Sequence, residues 1–194
     1  MNRKKIAAIV LFGLVLNTCA SPAIGEMNSY VSLNTTEKTS LSDAMKKHKA
    51  EQELLLAKAA EAARLQKNTE LINNALDKLN TYVGKTWYVF SGATPSGWDC
   101  SGLTMWFYEQ VGISLEHRAS VQDSSGVETS DPNVGDIVVF TYDKSSEAYH
   151  VGIYVGNGKM IHAPKIGHVT RVEDISTFGG SYSKVSYRKL IDTI

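Results

Sequence analysis

Cysteine is nearly absent from this chain of 194 residues, with Cys19 and Cys100 the only two. Two thiols exclude a disulfide framework and a four-thiolate zinc site. An excess of one charge is missing as well, since Lys and Arg number 20 and Asp and Glu 20. No basic half hides inside that balance: residues 84–194 carry nine basic and twelve acidic side chains, residues 27–83 eight and seven. A nucleic-acid partner held by phosphate neutralisation is therefore not expected. No apolar run reaches the roughly 20 residues of a spanning helix, and no internal repeat is visible. What remains is ordinary globular composition, 43% hydrophobic and 21% charged, with room for one domain and an appendage.

The first segment reads as an address. Arg3, Lys4 and Lys5 precede eleven residues without a polar side chain, Ile6 to Leu16. A basic start, a short apolar stretch and small residues behind it describe an export signal over 1–23, cut after Ala20 or Ala23. Asn17 and Thr18 stand before Cys19 where a lipid-acceptor cysteine usually has Gly, Ala or Ser, so lipidation is not expected. Removal of the leader leaves Cys100 as the lone thiol of an exported protein, either inert in the core or chemically used.

Residues 24–41 are polar and predict a flexible lead-in. Over 42–68 the chain lacks Gly and Pro and is dense in Ala, Leu, Lys, Glu and Gln, which predicts a helical arm centred on 42–65. Leu55, Ala59 and Ala62 fall at helical spacing, but His48, Gln52 and Gln66 interrupt the stripe. A solvated helix and a short coiled coil both remain open. The compact part, 69–194, begins with an amphipathic helix over 69–82 that Gly84 stops. Strands are predicted at 137–141, 150–155, 159–163, 168–172 and 184–190. The fold class is α+β, helices first and an antiparallel sheet behind.

Chemistry concentrates at Cys100. Pro95-Ser96-Gly97 is a turn, Asp99 suits a helix N-cap, and Leu103, Trp106, Phe107 and Val111 share one helical face. Cys100 then lies in the first turn, where free N–H groups and the helix dipole favour thiolate. The same groups could hold an oxyanion. A thiolate nucleophile needs a base, and the base an orienting partner. Of the five histidines, His48 sits on the polar arm, while His117 and His168 are in loops. His150 and His162 lie on two strands joined by Gly156-Asn157-Gly158.

Parity decides whether those two meet. A two-residue turn sends His162 to the face of Val151 and Ile153. A three-residue turn pairs 152 with 162 and puts both imidazoles on one face, diagonal to each other, with side-chainless Gly152 between them. The odd turn is predicted. Zinc on Cys100, His150 and His162 lacks any short ligand spacing to support it, and no cofactor or metal is expected.

Five segments in this order resemble the NlpC/P60 cysteine peptidases of bacterial cell walls, which have a papain-like fold. They are Tyr88-Val89-Phe90-Ser91-Gly92, Asp99-Cys100-Ser101-Gly102-Leu103, Gly135-Asp136-Ile137-Val138-Val139-Phe140, His150-Val151-Gly152-Ile153-Tyr154 and Met160-Ile161-His162-Ala163. The resemblance implies Cys100 as nucleophile, His150 as general base and His162 as the residue orienting it. It further implies Tyr88, Asp99 and Ser101 along the substrate cleft, and the stem peptide of peptidoglycan as substrate, at the bond between γ-D-glutamyl and a diamino acid. Trp87, Phe90, Ser91 and Trp98 depart from the family pattern and are expected to border the cleft. The expected product is a secreted murein hydrolase whose arm is free for a protein partner or self-association. The rivals are an amidase or acyltransferase on the same fold, or a catalytically weak wall-binding or assembly module.

Overall fold

The computed structural model describes residues 35–194. The predicted leader at 1–23, Cys19 and most of the lead-in lie outside the described residues. The chain divides into two units, 1–47 and 48–194. Of the first, residues 35–47 are helical and the side chains described there, 36 and 38–47, are exposed, with Asp43 and Lys46 3.7 Å apart on successive turns.

Helix α1 runs from Thr35 to Asn80 without a break. The predicted lead-in is thus shorter, and the two predicted helices are one. The reason is local: no Gly or Pro lies between 35 and 80, and the polar residues Gln66, Lys67 and Asn68 interrupt an apolar stripe without interrupting backbone hydrogen bonds. Thr69 even returns its hydroxyl to the Leu65 carbonyl at 2.9 Å. Leu54, Leu55 and Leu56 are exposed, whereas Ile72, Ala75, Leu76 and Leu79 are buried. Near the change of character the helix is tied to the C-terminus. Asn68 donates to the Asp192 carbonyl at 2.9 Å, and Ile194 N–H to Thr69 Oγ1 at 3.0 Å.

Beyond α1 lie a short hairpin, β1 (Ala93–Thr94) with β2 (Gly97–Trp98), and then helices α2 (Cys100–Glu109) and α3 (Ala119–Gln122). The remaining strands are β3 (Val127–Thr129), β4 (Ile137–Tyr142), β5 (Ala148–Tyr154), β6 (Lys159–His162), β7 (Arg171–Asp174) and β8 (Ser183–Lys189). They form one antiparallel sheet in the order β3-β8-β4-β5-β6-β7. The fold is α+β, as the sequence predicts. The hairpin, α3 and β3 were not predicted, being two to four residues each and too short for a periodicity to register.

Strand β4 is buried on both faces and shows why. Ile137 and Val139 join Val151, Ile153 and Ile161 under α1 and α2, where Leu103, Phe107, Tyr108 and Leu79 complete the larger core. Val138 and Phe140 point the other way, against Met160, Ile175 and Phe178. Trp98 corrects an expectation: it is a core residue and does not border the cleft. Its ring is fully buried against Tyr82 and Trp106, and its indole N–H donates to Thr170 Oγ1 at 2.6 Å. A wide apolar ring with one satisfied donor is more stable there than on the surface.

Leu79→Ala should lower unfolding free energy by roughly 2–5 kcal/mol, the cost of a core cavity. Leu55→Ala should change it by no more than about 0.5 kcal/mol. Urea denaturation of both variants checks the contrast between the two stretches of α1.

Candidate active site

Asp99 builds the start of α2. It takes an extended backbone conformation and its Oδ1 accepts from Gly102 N–H at 2.8 Å. The same oxygen accepts from Ser101 Oγ at 3.0 Å and lies 2.8 Å from His117 Nε2, while Oδ2 accepts from Ser91 N–H at 3.0 Å. Gly102 has no room for a side chain, because a Cβ there would stand 2.0 Å from the Gly92 carbonyl oxygen. The loop carrying Tyr88 to Gly92 is thereby pressed onto the first turn of α2, with Asp99 as the pin. Tyr88 lies beside Cys100 and Asp99, and burial together with those two groups raises its phenol pKa. Trp87 and Phe90 are exposed.

Cys100 occupies the first position of α2. The backbone N–H groups of Val151, Ser101 and Cys100 favour thiolate, while burial above all, and the Asp99 carboxylate as well, disfavour it. Burial outweighs them and pushes the thiol up to about 11. Loss of solvation thus works against the expected helix-start thiolate, since it costs the anion more than the N–H groups return. The influence of the Val151 amide places the sulfur beside β5, at the residue that follows His150. The β5–β6 ladder covers only Ile153↔Ile161 and Tyr154↔Met160, so the start of α2 meets β5 where that ladder has ended.

The hairpin has the predicted odd turn. The ladder continues to Val155, whose N–H donates to the Lys159 carbonyl at 3.0 Å, and Gly156, Asn157 and Gly158 all have positive φ. His150 and His162 consequently share a face, both buried, with His150 Nε2 2.8 Å from His162 Nδ1. Gly152 must be small: a Cβ would sit 3.0 Å from the Met160 sulfur and 3.1 Å from His162 Cβ. Burial lowers both imidazoles, His150 well below its ordinary value and His162 to about 4. Thiol and imidazoles are all held neutral.

Four neighbours escaped sequence reasoning. Glu173 Oε2 lies 2.9 Å from His162 Nε2 and accepts from Arg171 Nε at 2.9 Å. Phe178 packs over both imidazoles, its ring centre 4.4 Å from that of His150 and 4.7 Å from that of His162. His117, expected to be a loop residue without a catalytic role, anchors Asp99. A charged pair at spacing two in a strand was the available signal for Arg171 and Glu173. Residues 163–170 left the register of that strand open.

Residues 84–190 match the NlpC/P60 family model. Over 123 residues the chain is 36% identical to the murein DD-endopeptidase MepH of Escherichia coli, covering 60% of this chain and 44% of that one. It is 39% identical over 83 residues to a gamma-D-glutamyl-L-lysine dipeptidyl-peptidase of Bacillus subtilis, covering 41% and 28%. Among solved structures, the NlpC/p60 domain of the peptidoglycan hydrolase SagA matches with a TM-score of 0.51 and 31% identity, over 59% of this chain and 96% of that one. The chain spans between about a quarter and half of the length of the curated relatives it matches.

Asp99→Ala removes a helix cap and strands the Ser91 and Gly102 N–H groups. It should cost roughly 1–3 kcal/mol of stability without any ligand present, measured by chemical denaturation. An unchanged midpoint would show that Asp99 pins nothing.

Proposed function

The chain belongs to the NlpC/P60 family, and from that premise we propose that it is a secreted cysteine endopeptidase acting on the stem peptide of bacterial peptidoglycan. The observation that carries the proposal is the convergence of a half-buried thiol at a helix start with two hydrogen-bonded imidazoles, reached from three separate elements. Export rests on the basic start and the apolar run Ile6 to Leu16. The exposed stretch of α1 is the part available to a protein partner or to self-association.

The chemistry follows from the neutral resting site. As Cys100 Sγ attacks the peptide carbonyl carbon, its proton passes to His150, and N–H groups at the start of α2 receive the developing oxyanion. Protonated His150 then gives that proton to the departing amine, leaving a thioester on Cys100. Water attacks the thioester, releases the acid and restores the thiol. His162 keeps the His150 ring in plane for both transfers. Tyr88, with Asp99 and Ser101 beneath it, lines the approach, and the Tyr88 phenol is the donor we assign to a substrate carbonyl.

The bond we assign is the one between γ-D-glutamyl and a diamino acid, the kind named for the Bacillus relative. The broader match to an enzyme named a DD-endopeptidase favours a second reading, cleavage at another bond of the same murein peptides.

Cys100→Ala should reduce release of soluble fragments from purified peptidoglycan by at least about 10³-fold and leave the thermal midpoint near wild type. Wild-type release by that variant would end the proposal. Because burial holds both imidazoles below their ordinary range, the base stays unprotonated into mild acid. The acid limb of kcat/KM should therefore fall below pH 6.5, the ordinary histidine value. A limb at or above that value would contradict the neutral site.

A further inference from the structure

We infer that Glu173 is a positioning residue that sets the tautomers of both active-site histidines, so that the nitrogen of His150 left for Cys100 is an unprotonated one. The inference rests on the peptidase reading above for its consequence in rate, and on hydrogen-bond geometry together with the burial of both imidazoles for the tautomers.

The chain of contacts leaves one arrangement of protons. Arg171 has only donors, and its Nε and Nη2 lie 2.9 and 2.6 Å from Glu173 Oε2. An oxygen held by a guanidinium is an acceptor. The bond of 2.9 Å from His162 Nε2 to that same oxygen must then be donated by His162. A neutral imidazole has one N–H, and burial keeps His162 neutral, so its Nδ1 carries a lone pair. The 2.8 Å contact between His162 Nδ1 and His150 Nε2 is consequently donated by His150. His150 is neutral for the same reason, and its Nδ1 is the free base.

Strand register supplies the geometry. His162 pairs with Arg171 across β6 and β7, and Met160 with Glu173, which places Arg171 and Glu173 on the face of the two histidines. Phe178 covers both imidazoles. Without Glu173, His162 is free to carry its proton on Nδ1 and to meet His150 donor to donor. His150 would then turn, or move its own proton to the nitrogen needed as the base.

Long-range ¹H–¹⁵N spectra of the full chain with labelled histidine read these states without substrate. Both His150 and His162 should appear as neutral Nε2–H tautomers. Glu173→Ala should move His162 toward Nδ1–H and lower kcat roughly ten- to a hundredfold, part of what a general base contributes, with KM within about twofold. Glu173→Gln, whose amide oxygen still accepts, should restore the wild-type tautomer and most of kcat. A wild-type His162 protonated on Nδ1, or a folded Glu173→Ala with unchanged tautomers or unchanged kcat, would overturn the inference. If Glu173→Ala does not fold, the wild-type spectrum and Glu173→Gln decide it. Expected tautomers in a wild type that cleaves no peptidoglycan would sink the peptidase reading and leave the positioning role intact.

Discussion

The site depends on the parity of one hairpin turn. Three residues with positive φ, Gly156, Asn157 and Gly158, join β5 to β6. An odd count puts residue 162 on the face of residue 150, whereas an even count would bury His162 among Val151 and Ile153 and leave His150 without a partner. Everything polar behind the thiol follows from that count: the 2.8 Å contact between imidazoles, the small residue needed at 152, and the reach of Glu173 from the next strand. The other half is pinned separately, by the Asp99 carboxylate at the start of α2. Thiol and base come from α2 and β5, which pack together through Leu103, Phe107, Val151 and Ile153.

The balance of forces at Cys100 sets the chemistry. Helix-start N–H groups favour a thiolate, and they are present at the sulfur. Desolvation acts on the same sulfur in the opposite direction and is larger, as it is for both imidazoles. Charge is thereby disfavoured at the thiol and at both imidazoles alike, and Phe178, packed against both rings, is part of what buries them.

Much of this was legible in the sequence, for physical reasons that differ by element. The α2 start could be read because a cap residue, a turn and an apolar face at helical spacing agree over residues 95–111. The histidine pair could be read because a short turn fixes register. Arg171 and Glu173 could not, since residues 163–170 do not transmit register from β6 to β7. The length of α1 was misjudged because polar residues in an apolar stripe end a buried face without ending a helix. Trp98 was misplaced because its neighbours in sequence lie at the cleft while its side chain turns into the core. The Asp99 and Ser101 side chains serve the start of α2, a capping role that the Asp99 position already suggested.

The central claim is the identity of the bond broken. Purified peptidoglycan digested by the full chain in ¹⁸O-water, with products read by mass spectrometry, tests it most directly. The account predicts one ¹⁸O atom in a new D-glutamyl γ-carboxyl, together with a free amine on the diamino acid. Label in the lactyl carboxyl of muramic acid, or soluble product without label, would contradict it.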